Sequence, residues 1–141
     1  MIGLDTNVLV RYYVQAVPGL DDEATFKQCE AARKLIDSGK RLMVGKTVVL
    51  ELEGVLRGRY ELTTQEVQQV LEHVLSMAQV EMEDKVALQS AVAALAQGFD
   101  FADALHHASY RTCASVATFD DNGFARHTKK LGLKPAVHLL T

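Results

Sequence analysis

Tryptophan is absent from this sequence, and proline and cysteine occur twice each in 141 residues. So little proline excludes a collagenous or low-complexity chain and leaves helices free to run. The two cysteines, Cys29 and Cys113, have no metal-ligand spacing between them. They exclude a disulfide scaffold and are expected to be free buried thiols. No apolar run reaches the length of a membrane span, so no membrane partner is expected. Asp5 interrupts the opening stretch MIGLD, which does not read as a secretory leader, and a cytoplasmic location is expected. Strong charge of either sign is missing too, the net value being −3.

The charge is unevenly spread. Arg11 to Arg59 holds nine basic and seven acidic residues, whereas Glu61 to Asp103 holds eight acids and only Lys85. Arg111, Arg126, Lys129, Lys130 and Lys134 then face only Asp120 and Asp121. Faces of opposite sign, and through them a polyanionic partner, stay open despite the negative total.

What is present is ordinary globular material, 48% hydrophobic and 23% charged, and a single domain over 1–141 is expected. Ile2–Leu4, Leu42–Val44, Gln79–Met82, Ala114–Thr118 and Ala136–Leu140 read as five short strands. Between them helical spacing predicts Val8–Val14, Glu23–Asp37 with Asp21 or Asp22 as cap, Thr47–Arg57, the amphipathic LTTQEVQQVLEHVLSMA capped by Thr63 or Thr64, a helix from Asp84 to Gly98, and Phe101–Arg111. On Glu23–Asp37 the apolar positions are Ala24, Ala31, Leu35 and Ile36. Strands alternating with helices imply an α/β fold, a central parallel sheet of about five strands with helices on both faces. In such sheets ligands gather beyond the carboxyl ends of the strands.

Two acids stand at such ends: Asp5 after the first strand and Asp120 after ASVATF. Two more, Glu51 in TVVLELEGVLR and Asp103 in GFDFADALHHA, sit on helices in apolar surroundings. Each alone has a plain structural use. Asp103 complements a helix dipole, Asp120 makes a turn with Asp121, Asn122 and Gly123, and Glu51 pairs with Arg57 or Arg59. Four together are expected to converge on one pocket, where their repulsion demands a cation. Carboxylate oxygens without a matching His or Cys cluster suit Mg²⁺ or Mn²⁺.

The ordered set LDTNVLVRY, TVVLELEGVLR, GFDFADALHHA and VATFDDNGF resembles the PIN domain, in particular the VapC-type toxin ribonucleases of toxin–antitoxin pairs. The resemblance spans nearly the whole chain and departs at Gly54, where many relatives carry a bulky aromatic residue. It implies a PIN-like three-layer sandwich and metal-dependent endonucleolytic hydrolysis of RNA. It places the catalytic, metal-binding acids at Asp5, Glu51, Asp103 and Asp120, with Thr6, Asn7 and Thr118 as supporting polar neighbours. Glu53 and Asp100 are the acids most easily confused with them; Glu53 points to another side of its helix and Asp100 is placed to cap the next one. The 18 acids less the four proposed ligands leave 14 against 15 bases, a balanced remainder. Arg11, Lys46, Arg57, Arg59 and Arg126 flank the motifs and are candidates for RNA phosphates. Tyr12 or Tyr13 is a candidate for stacking on a base. His106 and His107 are expected on the helix surface or against a partner rather than as ligands.

The resemblance also implies a homodimer and a cognate antitoxin protein laid across the early helices, Val8–Val14 and Ala24–Ile36. Alternatives are RNA processing outside a toxin system and a catalytically silent PIN-like binding module. A haloacid-dehalogenase-like phosphatase also ends its first strand on Asp, but needs a second Asp where this chain has Asn7.

Overall fold

Short apolar runs closed by turn residues become the strands, and helices follow them along the chain. The computed structural model describes residues 1–141, which divide into two compact units, Met1–Lys85 and Val86–Thr141. The first contains β1 (Ile2–Leu4), α1 (Thr6–Tyr13), α2 (Glu23–Ile36), β2 (Leu42–Val44), α3 (Lys46–Gly58), α4 (Thr64–Ser76) and β3 (Val80–Met82). Its sheet is parallel in the order β1-β2-β3, with Ile2 opposite Leu42 and Leu42 opposite Val80. Leu42 and Val44 of the central strand are fully buried, as are Ile36, Leu52, Leu56 and Leu71 from the helices. Each such side chain contributes about 1.5–3 kcal/mol through the water it sheds.

The second unit holds α5 (Lys85–Ala96), whose first residue falls at the boundary, then α6 (Phe101–Ala108), β4 (Ser115–Thr118), α7 (Phe124–Lys130) and β5 (Ala136–Leu139). Here β4 and β5 pair in parallel, Thr118 lying opposite Leu139. Gly98 ends the α5 segment at φ +88°, a left-handed conformation that a side chain would strain. Phe99 and Phe101 bury just beyond it, and the His107 imidazole donates from Nε2 to the Pro135 carbonyl at 2.7 Å.

The expected single sheet of five strands is corrected: hydrogen bonding joins three strands in one sheet and two in another. Strands of three or four residues offer few ladder bonds, and nothing local in their sequences states which runs pair. Burial also alternates along β2 and β3, with Met43 and Glu81 exposed between buried neighbours. That differs from the continuous burial expected of a parallel strand covered on both faces. On α2 the inward residues are Ala32 and Ile36, whereas Ala24 and Ala31 are exposed. Cys29 is half-buried and Cys113 exposed, both unpaired, so the expectation of buried thiols fails at Cys113.

Helix α4 begins with a reciprocal capping box. The Glu66 N–H donates to the Thr63 hydroxyl at 3.2 Å, and the Thr63 N–H donates to the Glu66 carboxylate at 2.9 Å. Removing the hydroxyl in Thr63→Ala is expected to cost about 1 kcal/mol, read by urea unfolding. The hydrogen bonds from Thr63, the backbone one first, hold the Glu66 carboxyl below its ordinary range. Its stabilisation is therefore present above that ordinary range and drains as pH falls through the depressed native value.

Candidate functional site

Asp5 is not a buried acid. It ends β1 in extended conformation, is exposed, and caps α1 by accepting the Thr6 N–H at 2.8 Å. The strand runs out where the helix needs a cap, which answers why a carboxylate follows an apolar run. The next residue, Thr6, is buried, and its hydroxyl oxygen has no hydrogen-bond partner. Across from them α3 contributes Glu51. Asp5, Thr6, Asn7, Glu51 and Arg59 line one cavity of about 270 Å³ together with Arg11. Glu51 is exposed, whereas Glu53 is buried and accepts from Arg57 Nε at 2.8 Å. Two positions on one helix thus divide the labour, Glu53 tying the helix surface and Glu51 facing the cavity.

In the second unit Asp100 caps α6, its carboxylate accepting the Asp103 N–H at 3.1 Å. Asp103 lies half-buried in the first turn. Burial, then the negative charges of Asp100 and Asp120, push its carboxyl above the ordinary range; His106 and His127 oppose that only in part. Asp120 accepts the N–H groups of Asn122 at 2.9 Å and Gly123 at 3.3 Å, and these bonds hold its carboxyl low. Its own N–H donates to the Thr118 hydroxyl at 3.0 Å, so Thr118 fixes the turn that presents it.

The structure therefore brings Asp5 to Glu51 in the first unit and Asp103 into the electrostatic reach of Asp120 in the second. In neither unit are three or more His, Cys, Asp and Glu side chains gathered closely enough to hold a metal ion by themselves. The donor chemistry nevertheless fits a hard divalent cation. Glu51 and Asp103 accept no hydrogen bond, the candidate donors are carboxylates, and the unpartnered Thr6 oxygen lies beside Asp5.

Of the basic candidates, Lys46 is tied to acids: its N–H donates to Glu83 at 2.7 Å and its ammonium to Asp84 at 3.3 Å. Arg57 is held by Glu53. Arg11 donates from Nε to Gln28 at 2.8 Å and still lines the Asp5 cavity. Arg59 lies 5.7 Å over the Tyr60 ring in the same cavity, and Arg126 is exposed on α7. Tyr12 bonds Asp37 and Tyr13 bonds His73, both half-buried. His106 is exposed, as expected, but His107 is buried.

Phe119, exposed to 77% immediately before Asp120, has no role in the sequence-based expectations, and the lysines of α7 and of the turn after it enter them only through the uneven charge. The available signal was position: an aromatic residue after a strand's last residue and before DDNG has no inward face to join. Neither a curated protein nor a solved structure matches this chain. A family model does, the one described as PIN domain, over residues 2–130.

Proposed function

From the premise that the chain belongs to the PIN domain family, we propose that it is a metal-dependent endoribonuclease, acting as the toxin of a VapBC-type toxin–antitoxin pair. PIN domains are generally nucleases that use divalent metal ions. The observation that carries the reading is this match joined to exposed carboxylates just beyond two parallel strands, Asp5 after β1 and Asp120 after β4.

The acids proposed to hold Mg²⁺ or Mn²⁺ are Asp5, Glu51, Asp103 and Asp120. Such an ion, when bound, supplies a water of lowered pKa and neutralises charge on the scissile phosphate. The chain's own residues do the positioning. Asp5 is fixed by its bond to the Thr6 N–H, and Asp120 by the Asn122 and Gly123 N–H groups. Thr118 sets the Asp120 backbone. Arg11 and Arg59 place positive charge in the Asp5 cavity, where a phosphate would otherwise meet only acids.

The toxin role rests on the ordered resemblance of the four motif segments to VapC-type proteins. An antitoxin segment and a second copy of the chain are the proposed partners, and a cytoplasmic location goes with them. An apolar groove of about 320 Å³ between α1 and α2, lined by Val8, Ala31, Ala32 and Leu35 among others, supports docking of such a segment. No helix is long and apolar enough to cross a membrane.

Purified protein incubated with structured RNAs is expected to cut them in Mg²⁺ or Mn²⁺ and to leave them intact in EDTA. Induced expression is expected to arrest growth and create new RNA ends, and co-expression of the antitoxin to suppress both. No cleavage with any ion would overturn the nuclease reading. Cleavage without growth arrest would instead favour RNA processing.

A further inference from the structure

The nuclease reading leaves Phe119, Lys129 and Lys134 of the second unit without a role and names Arg126 only as a candidate for RNA phosphates. Phe119 leaves 77% of its surface to water, the most of any phenylalanine here. Large aromatic side chains left that open are rarely there for stability, because burial is what they contribute to a fold. Beyond the turn, α7 and β5 enclose a cleft of about 580 Å³ lined by Arg126, Lys129, Lys134, Asp121, Leu133 and Leu139, with other residues between them. Three cations face one acid there. None of the three makes an ion pair with a protein carboxylate.

The cleft and the ring are joined by the backbone. Leu139 pairs with Thr118, the residue before Phe119, and the Leu140 N–H donates to the Thr118 carbonyl at 2.7 Å. Asp121, on the cleft wall, is two residues beyond Phe119. An exposed ring joined by one backbone segment to a groove carrying three cations matches the chemistry of a polynucleotide, which offers flat bases and regularly spaced phosphates. Lysines argue against a protein partner, because they are depleted at protein interfaces.

We propose that Phe119 and the α7–β5 cleft form a nucleotide-binding subsite, the ring stacking on an unpaired base next to Asp120 while Arg126, Lys129 and Lys134 hold the adjoining phosphates. The subsite rests on the nuclease reading for its purpose but not for its chemistry. It gives the chain a preference for RNA whose bases are splayed out near the cut, since a paired base has no free face to offer.

The test is binding, measured in EDTA so that the probe stays whole. A short fluorescein-labelled unpaired RNA and its duplex would be titrated by anisotropy with the full-length protein over a salt series. Phe119→Ala is expected to weaken unpaired RNA about tenfold, within the range of one lost base stack, and Phe119→Tyr to restore it. Lys129→Ala with Lys134→Ala is expected to flatten the salt dependence by about 0.7 per lysine, and Lys27→Ala with Lys34→Ala on α2 to leave it unchanged. All these side chains are exposed, and melting curves would verify that each variant folds.

Wild-type binding by Phe119→Ala, or equal losses in the two lysine pairs, would overturn the subsite. So would a change in oligomeric state on Phe119→Ala with RNA affinity intact, which would make the ring a protein contact. If RNA binds as described but is never cut with any ion, the subsite stands and the nuclease reading falls. If RNA is cut while Phe119→Ala binds normally, the reverse holds.

Discussion

Asp103→Asn is expected to lower RNA cleavage about a thousand-fold and, in the same protein, to raise the melting temperature measured in EDTA. The loss corresponds to ~4 kcal/mol of transition-state stabilisation, the scale expected when a metal-binding carboxylate is removed. The gain follows from the carboxyl's environment. Burial and the charges of Asp100 and Asp120 raise its pKa in the folded state. A raised carboxyl pKa means the native state binds the proton more tightly than the unfolded chain. Stability therefore falls as pH rises from the ordinary carboxylate value to the raised one, and stays reduced above it. At neutral pH the ionised Asp103 is thus a burden on the metal-free protein, and asparagine removes the charge at nearly the same size. The Asp103 N–H that Asp100 caps is kept. Calorimetry with and without Mg²⁺ is expected to show the ion stabilising wild type more than the variant. A variant less stable than wild type in EDTA would refute the electrostatic account, and undiminished cleavage would refute the ligand role.

Arg57→Ala is expected to destabilise the protein by about 2–3 kcal/mol while leaving RNA affinity close to wild type. Glu53 is 5% exposed at its side chain and takes both Nε and Nη2 of Arg57, at 2.8 and 3.4 Å. Removing the guanidinium strands a carboxylate that water barely reaches. The cost stays below that of a fully buried pair because the Arg57 side chain is 59% exposed. Glu53→Gln in the Arg57→Ala background is expected to recover much of the loss, since a neutral amide is cheaper to bury. Urea unfolding of the four proteins in the cycle measures this. A large fall in RNA affinity with unchanged stability would return Arg57 to the phosphate-binding set.

How far the chain could be read in advance depended on how local each signal is. Apolar runs between turn residues gave β1, β2 and β3 to within a residue, and Thr63 or Thr64 ahead of an amphipathic run put the start of α4 to within a residue, because those signals lie within a few positions. Strand pairing joins residues tens of positions apart, and the two-sheet arrangement was not legible. Helix α7 went unread because FARHTKK is seven residues with only Phe124 and Thr128 buried, too short for a period to register. For the acids, placement was legible and surroundings were not. Asp5 and Asp120 were expected beyond strands and lie there, but their backbone bonds, the raised Asp103 carboxyl and the tethering of Lys46 and Arg57 arise from neighbours that no motif names.

The acids differ in how much architecture rests on them. Asp5 joins a strand to a helix and Asp120 pins a turn, so each holds chain geometry whether or not any RNA is ever cut. Glu51 and Asp103 carry no such bond. In a lineage that abandons the chemistry, drift should erase Glu51 and Asp103 first and leave Asp5 and Asp120 behind, as scaffolding that outlives the trade it was built for.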